Sequence, residues 1–298
     1  METIRVGTRT SALAMKQTKM VMEKIERQNT DVSFEVIPKK TKGDKLLDTP
    51  LVEFGGKGAF ITEFEEAMLD GSIDIAVHSA KDMPMELTEG LDIWMVLERE
   101  DAKDVLLTKK ENVPMEGRPM IIGTSSPRRQ IQIESLMNAE CRLLRGNVPT
   151  RIEKLRQGMY DGIILAAAGI KRLGLDKEED LCYRYLSYDE MIPAGGQGII
   201  TVEGRKDDEL RVLFEKYSDK NAALELETER YILKRLEAGC HEPIGVFAQI
   251  ENRGAGITIR LLLERNGKPC KGSITGSVKE RLELAERLIE EVSRNAEK

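Results

Sequence analysis

The chain has 298 residues, enough for two or three domains with cores of their own. At 40% apolar and 33% charged it reads as globular, and a net charge of -6 with 4% aromatics argues against a general nucleic-acid binder. No apolar run approaches a membrane span, and four widely spaced cysteines with only two histidines suit a reducing compartment better than a disulfide frame, a zinc site or a Ser/His/Asp triad.

The chain opens Met1-Glu2-Thr3-Ile4-Arg5 and goes directly into a strand over 4–6, so no signal peptide or anchor is expected and the protein is placed in the cytoplasm. Gly7-Thr8-Arg9-Thr10-Ser11 follows, with Ser11 as N-cap of a helix reaching about residue 27. In the plain reading Ser11 is only that cap. In the sharper one, a helix start after a strand, with Arg9 beside it, favours an anion. A second strand covers 34–38. Residues 41–58 hold four glycines and no apolar period, and read as a loop ending in Gly55-Gly56-Lys57-Gly58. It is not a P-loop, because Leu51 stands five before Gly56 and no Ser or Thr follows Lys57.

A helix over 62–69 leads into the β-branched run 73–77, a buried strand. That strand stops on His78, Ser79, Lys81 and Asp82, and Pro84 bars further ladder bonding. In open α/β sheets ligands sit at the carboxyl ends of strands, which makes this cluster a candidate site; the plain alternative is a solvated surface ion pair. After a strand over 91–97, the polar run Glu98-Arg99-Glu100-Asp101-Ala102-Lys103-Asp104 reads as a link between domains.

A second α/β set follows. A strand over 120–122 leads to Gly123-Thr124-Ser125-Ser126-Pro127-Arg128-Arg129, with Ser126 at N-cap and Pro127 at N1. Free backbone N–H groups, hydroxyls and paired arginines there suit a carboxylate or phosphate, against the alternative of a solvated first turn. A strand at 143–144 ends in Arg145-Gly146-Asn147-Val148-Pro149-Thr150-Arg151, with Asn147 capping the next helix. The apolar run 162–168 precedes Gly169-Ile170-Lys171-Arg172. Arginines at successive strand ends weigh more than any one segment.

Residues 191–198, which include Gln197, form a Pro/Gly-rich connector before a strand over 199–202. From about 222 the pattern changes to a helix reaching 236, then strands over 246–250, 257–263 and 268–275 and a helix over 278–292. Asn266-Gly267 is a hairpin signal. The predicted fold is α/β, with two doubly wound domains and a small C-terminal α+β domain built on a three-stranded antiparallel sheet.

Four stretches now stand together: His78-Ser79-Ala80-Lys81-Asp82-Met83-Pro84, Gly123 to Arg129, Leu144-Arg145-Gly146-Asn147-Val148 with Thr150-Arg151, and Leu236-Glu237-Ala238-Gly239-Cys240 before Pro243-Ile244-Gly245. In order and spacing, over nearly the whole chain, they resemble the porphobilinogen deaminase (hydroxymethylbilane synthase) family. Ala238 departs from a usual glycine, His241-Glu242 stand where Gln-Val or similar is common, and Ala80 and Pro149 are at variable-looking positions. None of these is a residue that must do chemistry.

The resemblance implies two domains like those of periplasmic-binding proteins, 1–98 with 199–217 and 103–193, and a third over 220–298. It implies a dipyrromethane cofactor held by Cys240 through a thioether, onto which four porphobilinogen units are joined with loss of ammonia. The product, hydroxymethylbilane, would pass to uroporphyrinogen-III synthase, and the enzyme would be a monomer that engages neither nucleic acid nor membrane. Asp82 matches the family's catalytic aspartate. Ser79, Lys81, Thr124, Ser126, Arg128, Arg129, Arg151, Ala168 and Gln197 would hold the cofactor. Arg9, Ser11, Arg145, Arg151, Arg172 and Lys57 would take substrate carboxylates. The chemistry agrees independently, since each pyrrole carries acetate and propionate arms and arginine is the planar, permanently charged partner for carboxylates. Cys141, Cys182 and Cys270 read as inert small apolar residues. A reading from another class also stands: a two-lobed binding module that captures an anionic ligand without turnover, against which the third domain and Cys240 speak. A Cys/His hydrolase is the weaker enzyme reading, because adjacent side chains in an extended loop, as at Cys240 and His241, point apart.

Overall fold

The computed structural model describes residues 2–39, 61–111, 117–237, 242–251 and 254–297. Contacts group the chain into two units, Met1–Glu100 with Gly198–Leu226, and Asp101–Gln197 with Glu227–Lys298.

In the first unit β1 (Glu2–Arg9) is followed by α1 (Ala12–Glu26), β2 (Val32–Lys39), α2 (Thr62–Leu69), β3 (Ile75–Ser79) and β4 (Leu91–Val96). The chain returns to this unit as β10 (Ile200–Arg205) and α6 (Arg211–Glu215). The strand order is β2-β1-β3-β10-β4, with β1 parallel to β2 and β3, and β10 antiparallel to β3 and β4. β3 is buried on both faces, which explains its unbroken apolar run. Ile75 and Val77 join Ile4, Val21, Ile25 and Trp94 on one side of the sheet, and Ala76 joins Phe64, Met68 and Leu91 on the other. Helix α1 starts where the sequence puts it: Ser11 is the N-cap, and its Oγ accepts from Ala14 N at 3.3 Å.

The second unit repeats this topology. It contains β5 (Asp104–Lys109), β6 (Met120–Gly123), α3 (Pro127–Leu136), β7 (Ala139–Arg142), α4 (Val148–Arg156), β8 (Gly162–Ala166), α5 (Ala167–Leu173) and β9 (Leu181–Tyr185). The order is β7-β6-β8-β5-β9, with β6 parallel to β7 and β8, and β5 antiparallel to β8 and β9. Both five-stranded sheets are therefore mixed, each with one antiparallel strand beside a parallel set.

Three features differ from the sequence reading. What looked like a linker ends at the first residue of β5, and β9 has an exposed, polar-rich face that hid it. The strand expected at 143–144 lies earlier, at Ala139–Arg142; Leu144 is buried but sits past the strand, held by its N–H on the Thr124 carbonyl at 3.3 Å. The run 162–168 divides into β8 and the first turn of α5, because alanines at 166–168 suit a helix start as well as a strand end.

Helix α7 (Lys220–Arg235) enters the second unit at residue 227, followed by β11 (Gly245–Glu251), β12 (Gly256–Arg265), β13 (Lys268–Ser277) and α8 (Arg281–Glu297). These strands form a separate antiparallel sheet with its own core of Ile232, Val246, Ile259, Leu261, Leu288 and Val292. Asn266 and Gly267 both have positive φ, 53° and 74°, as a tight two-residue hairpin requires.

Candidate active site

In the first unit, parallel pairing of β1 with β3 brings the segment after Arg9 next to the segment after Ser79. A pocket opens there, lined by Arg9, Ser11, Leu13, Ala14, Gln17, Ile61, Val77, His78, Ser79 and Asp82. A single 3-10 turn, Ala80–Asp82, follows β3. Ala80 and Met83 are buried on either side of it, and Ala80 N donates to Ile199 O at 3.0 Å, so Lys81 and Asp82 are driven outward and both are exposed. Among the described residues no hydrogen bond or ion pair engages the Asp82 carboxylate. Ser79 Oγ accepts from Gln17 Nε2 at 2.9 Å. An open acid among hydroxyl and amide donors can accept N–H groups and stabilise developing positive charge.

In the second unit the acid is inside. Asp104, the first residue of β5, is opposite Ala166 at the end of β8, so its carboxylate lies at the carboxyl ends of the parallel strands. It is completely buried. Its Oδ2 accepts from Arg128 Nη1 at 2.8 Å, and its Oδ1 accepts from Arg129 Nη2 at 2.7 Å and Gln197 Nε2 at 3.0 Å. Burial pushes this carboxyl up, but the two guanidinium groups outweigh it and hold the group far below the usual carboxylate range. Arg128 also donates to the Ile192 carbonyl and Arg129 to that of Ile164. Two guanidinium charges against one carboxylate leave this cluster one positive charge in excess. Helix α3 begins above it with Ser126 as N-cap and Pro127 at N1, yet the Ser126 side chain makes no capping bond to its own helix. Thr124, buried, accepts from Ser126 N through Oγ1 at 3.2 Å.

The other second-unit arginines picked out from the sequence follow β7 and β8. Gly146, at φ +115°, turns the chain where a Cβ would come within 2.9 Å of the Thr150 side chain. Asn147 then caps α4, accepting from Thr150 N at 3.0 Å, and Arg151 Nε donates back to Gly146 O at 2.7 Å. Arg145 and Arg151 are half-buried there; Ala168 is buried in the first turn of α5, and Arg172 is half-buried in its last. Arg9, Ser11, Ser79, Lys81 and Asp82 thus share the first unit, and Thr124, Ser126, Arg128, Arg129, Arg145, Arg151, Ala168, Arg172 and Gln197 the second. Lys57, Cys240 and His241 lie outside the described residues.

The sequence reading missed three contributors. Asp104 was read as part of a polar link, although Val105-Leu106-Leu107 directly after it carries the signature of a buried strand. Gln17 was given no role, and His78 only a place at the strand end; both line the pocket. Of the other cysteines, Cys141 is half-buried, and burial, followed by the neighbouring Glu134, pushes its thiol up to about 12, so it is not a nucleophile at neutral pH.

The family description "Porphobilinogen deaminase, dipyromethane cofactor binding domain" matches residues 4–212, and "Porphobilinogen deaminase, C-terminal domain" matches residues 223–294. The porphobilinogen deaminase of Acetivibrio thermocellus is 42% identical over 276 residues, 92% of this chain and 92% of that one. That of Syntrophus aciditrophicus is 40% identical over 299 residues, 96% of this chain and 95% of its own. Among solved structures, the periplasmic VFT2 domain of BvgS from Bordetella pertussis is 13% identical, with a TM-score of 0.42 over 72% of this chain and 86% of that one. Two domain matches in family order and full-length relatives at this identity make the chain a member of the porphobilinogen deaminase family.

Proposed function

We propose that this protein is a hydroxymethylbilane synthase, a transferase that joins four porphobilinogen molecules head to tail, with release of ammonia, on a dipyrromethane held by the Cys240 thiol. The observation that carries the reading is the exposed Asp82 carboxylate at the end of β3, engaged by no hydrogen bond or ion pair among the described residues, in a pocket with Arg9, Ser11 and Ser79. The donor set of the second unit suits an acid-armed group: a cluster with one excess positive charge, beneath a helix start whose Ser126 hydroxyl is not used as a cap. Thr124, Ser126, Arg128, Arg129, Arg151, Ala168 and Gln197 would hold the dipyrromethane, as would Ser79 and Lys81. When bound, that group supplies an electron-rich pyrrole end as the acceptor for each new unit.

Asp82 accepts the N–H of the incoming pyrrole, stabilises the positive charge left on the substrate as ammonia departs, and receives the proton the ring later loses. Arg9, Ser11, Arg145, Arg151 and Arg172, with Lys57, bind the acetate and propionate arms and hold the reacting carbon in place. Gln17, bonded to Ser79 Oγ, fixes the hydroxyl side of the pocket. We read three domains, 1–98 with 199–217, 103–193 and 220–298, the last with a hydrophobic core of its own. The enzyme works as a monomer in the cytoplasm: free Cys141, Cys182 and Cys270 suit a reducing compartment, and no described helix is long and apolar enough to cross a membrane. A linear hydroxymethyl tetrapyrrole cyclises by itself, so its consumer is a ring-closing enzyme, uroporphyrinogen-III synthase. The binding-module alternative has no use for the C-terminal domain matched over 223–294 and is not favoured.

The test is intact mass of protein made in a porphyrin-competent host, read before and after limited addition of porphobilinogen. The wild type should carry two pyrrole units and add more in steps, and Cys240→Ser should carry none. A bare wild-type chain that ignores porphobilinogen would sink the proposal.

A further inference from the structure

Gln132, in the middle of α3, is only 1% exposed, and both ends of its amide are engaged. Its Oε1 accepts from Ile192 N at 2.8 Å. Its Nε2 donates to Ile192 O and, one turn back in the helix, to Arg128 O, both at 3.1 Å. A core amide satisfied by backbone groups is ordinary in itself. What singles this one out is the second donor on the same carbonyl: Ile192 O also accepts from Arg128 Nη1 at 2.7 Å. Residues 128 and 132 are four apart, so both side chains leave one face of α3 and reach the same backbone group. That backbone is held by β11 as well, where Val246 N donates to Pro193 O at 2.9 Å and a Cβ on Gly245 would stand 2.9 Å from Ile192 O.

These contacts set the plane of one guanidinium. Arg128 Nη1 uses both of its N–H groups, one on Asp104 Oδ2 at 2.8 Å and one on Ile192 O. The guanidinium is rigid and planar, so engaging both hydrogens of one nitrogen fixes the direction of the other two. Among the described residues Nε and Nη2 of Arg128 donate to nothing, on a side chain only 5% exposed. Buried N–H groups without an acceptor are costly, and the Nε–Nη2 edge of a guanidinium is a fork that takes a carboxylate through two parallel bonds. We infer that Gln132 is a positioning residue for the cofactor: it pins the Ile192 carbonyl, the carbonyl pins Arg128 Nη1, and Nε and Nη2 are thereby aimed at a carboxylate arm of the dipyrromethane. Asp104 alone does not achieve this, since a bond to one of its oxygens leaves the guanidinium free to turn about that contact. The inference rests on the reading of the Asp104–Arg128–Arg129 cluster as the seat of the cofactor's acid arms.

Gln132→Met keeps the length of the side chain and removes both bonds to Ile192. The full chain, made bare in a host that produces no porphobilinogen, is given porphobilinogen, and growth of the two-pyrrole mass is timed by intact-mass measurement. Loading should be about tenfold slower than in the wild type, the order expected when a bond to a charged group loses its geometry. On an Arg128→Lys background the same substitution should slow loading further by less than about twofold, because a lysine has no fork to orient. Equal slowing on both backgrounds means that Gln132 acts elsewhere, and overturns the inference. Normal loading with only a lower urea unfolding midpoint does so too, since that is the mark of a core amide and nothing more. Should Gln132→Met not fold, Gln132→Asn, which keeps the amide but is one methylene short of Ile192, goes through the same pair of measurements and the same results decide. A wild-type chain that stays bare takes down the cofactor reading and this inference with it; a wild type that loads beside an indifferent Gln132→Met takes down this inference alone.

Discussion

The two five-stranded sheets have the same strand order, a parallel set followed by one antiparallel strand, and each has one prominent aspartate at its carboxyl-end edge. They place it differently. In the first unit the acid comes just after the parallel strand β3, on a one-turn helix whose flanking Ala80 and Met83 are buried, so Asp82 is in solvent. In the second it comes at the start of the antiparallel strand β5, next to β8, so Asp104 is sealed and two arginines close on it. The corresponding start of β10 is Ile200, a core residue. One topology therefore yields an open acid when the carboxylate lies beyond the strand end and a sealed, arginine-paired acid when it lies within the ladder.

The contrast is sharpest if each aspartate is removed in turn. Asp82→Ala should lower turnover by roughly 100- to 10,000-fold, the range that a positioned acid–base group contributes. Porphobilinogen binding should persist, and stability should stay within about 0.5 kcal/mol of wild type, as for an exposed position. Steady-state kinetics with a thermal melt reads both; near-normal turnover would remove Asp82 from the chemistry. Asp104→Asn should do the reverse in kind. It leaves two buried guanidinium groups without their counter-charge and should destabilise the second unit by about 3–5 kcal/mol. Urea unfolding followed by a probe in that unit checks this, and an unchanged midpoint would mean the arginines find another anion.

Acid titration reads the Asp104 carboxylate through stability. Asp104 in the folded chain is held far below its ordinary value of 3.8, so below about pH 4 the unfolded chain binds a proton that the folded chain refuses. Its contribution is complete above pH 4 and is lost as the pH falls toward the folded value. Stability of the second unit should therefore drop steeply below pH 4 in the wild type, and less steeply in Asp104→Asn. Parallel acid curves for the two proteins would contradict the assignment of that slope to Asp104.

Much of this was legible in the chain itself. The Asp82 site could be read because its signal is local: a β-branched run that stops on polar residues and a proline states where a strand ends and what its end carries. The cap positions Ser11 and Asn147 were legible for the same reason, since a side chain that bonds a backbone group three residues on needs no distant partner. Asp104 was not, because what lets an acid be buried at that strand start is distant in sequence. Arg128 and Arg129 stand 24 and 25 positions away, and Gln197 is 93 away. A charged residue reads as surface unless its partners are known, and local pattern does not supply them. The 3.1 Å approach of His78 Nε2 to the buried Glu203 carboxylate escaped for the same reason, the two residues being joined only by the β3–β10 register.

The smallest expected effects test whether helix starts are used alike in the two units. Ser11 and Asn147 both accept from the backbone of their own helices, so Ser11→Ala and Asn147→Ala should each cost about 1 kcal/mol in chemical unfolding. Ser126 occupies the same N-cap position on α3 but makes no side-chain capping bond, and Pro127 already supplies a preset first turn. Ser126→Ala should therefore leave stability within about 0.5 kcal/mol of wild type. If its hydroxyl is kept for an acid-armed ligand, the same variant should instead load less dipyrromethane, seen as a mixed population in intact mass. A stability loss as large as that of Asn147→Ala, with full loading, would make Ser126 an ordinary cap and leave the excess charge of the Asp104–Arg128–Arg129 cluster as the binding determinant at that helix start.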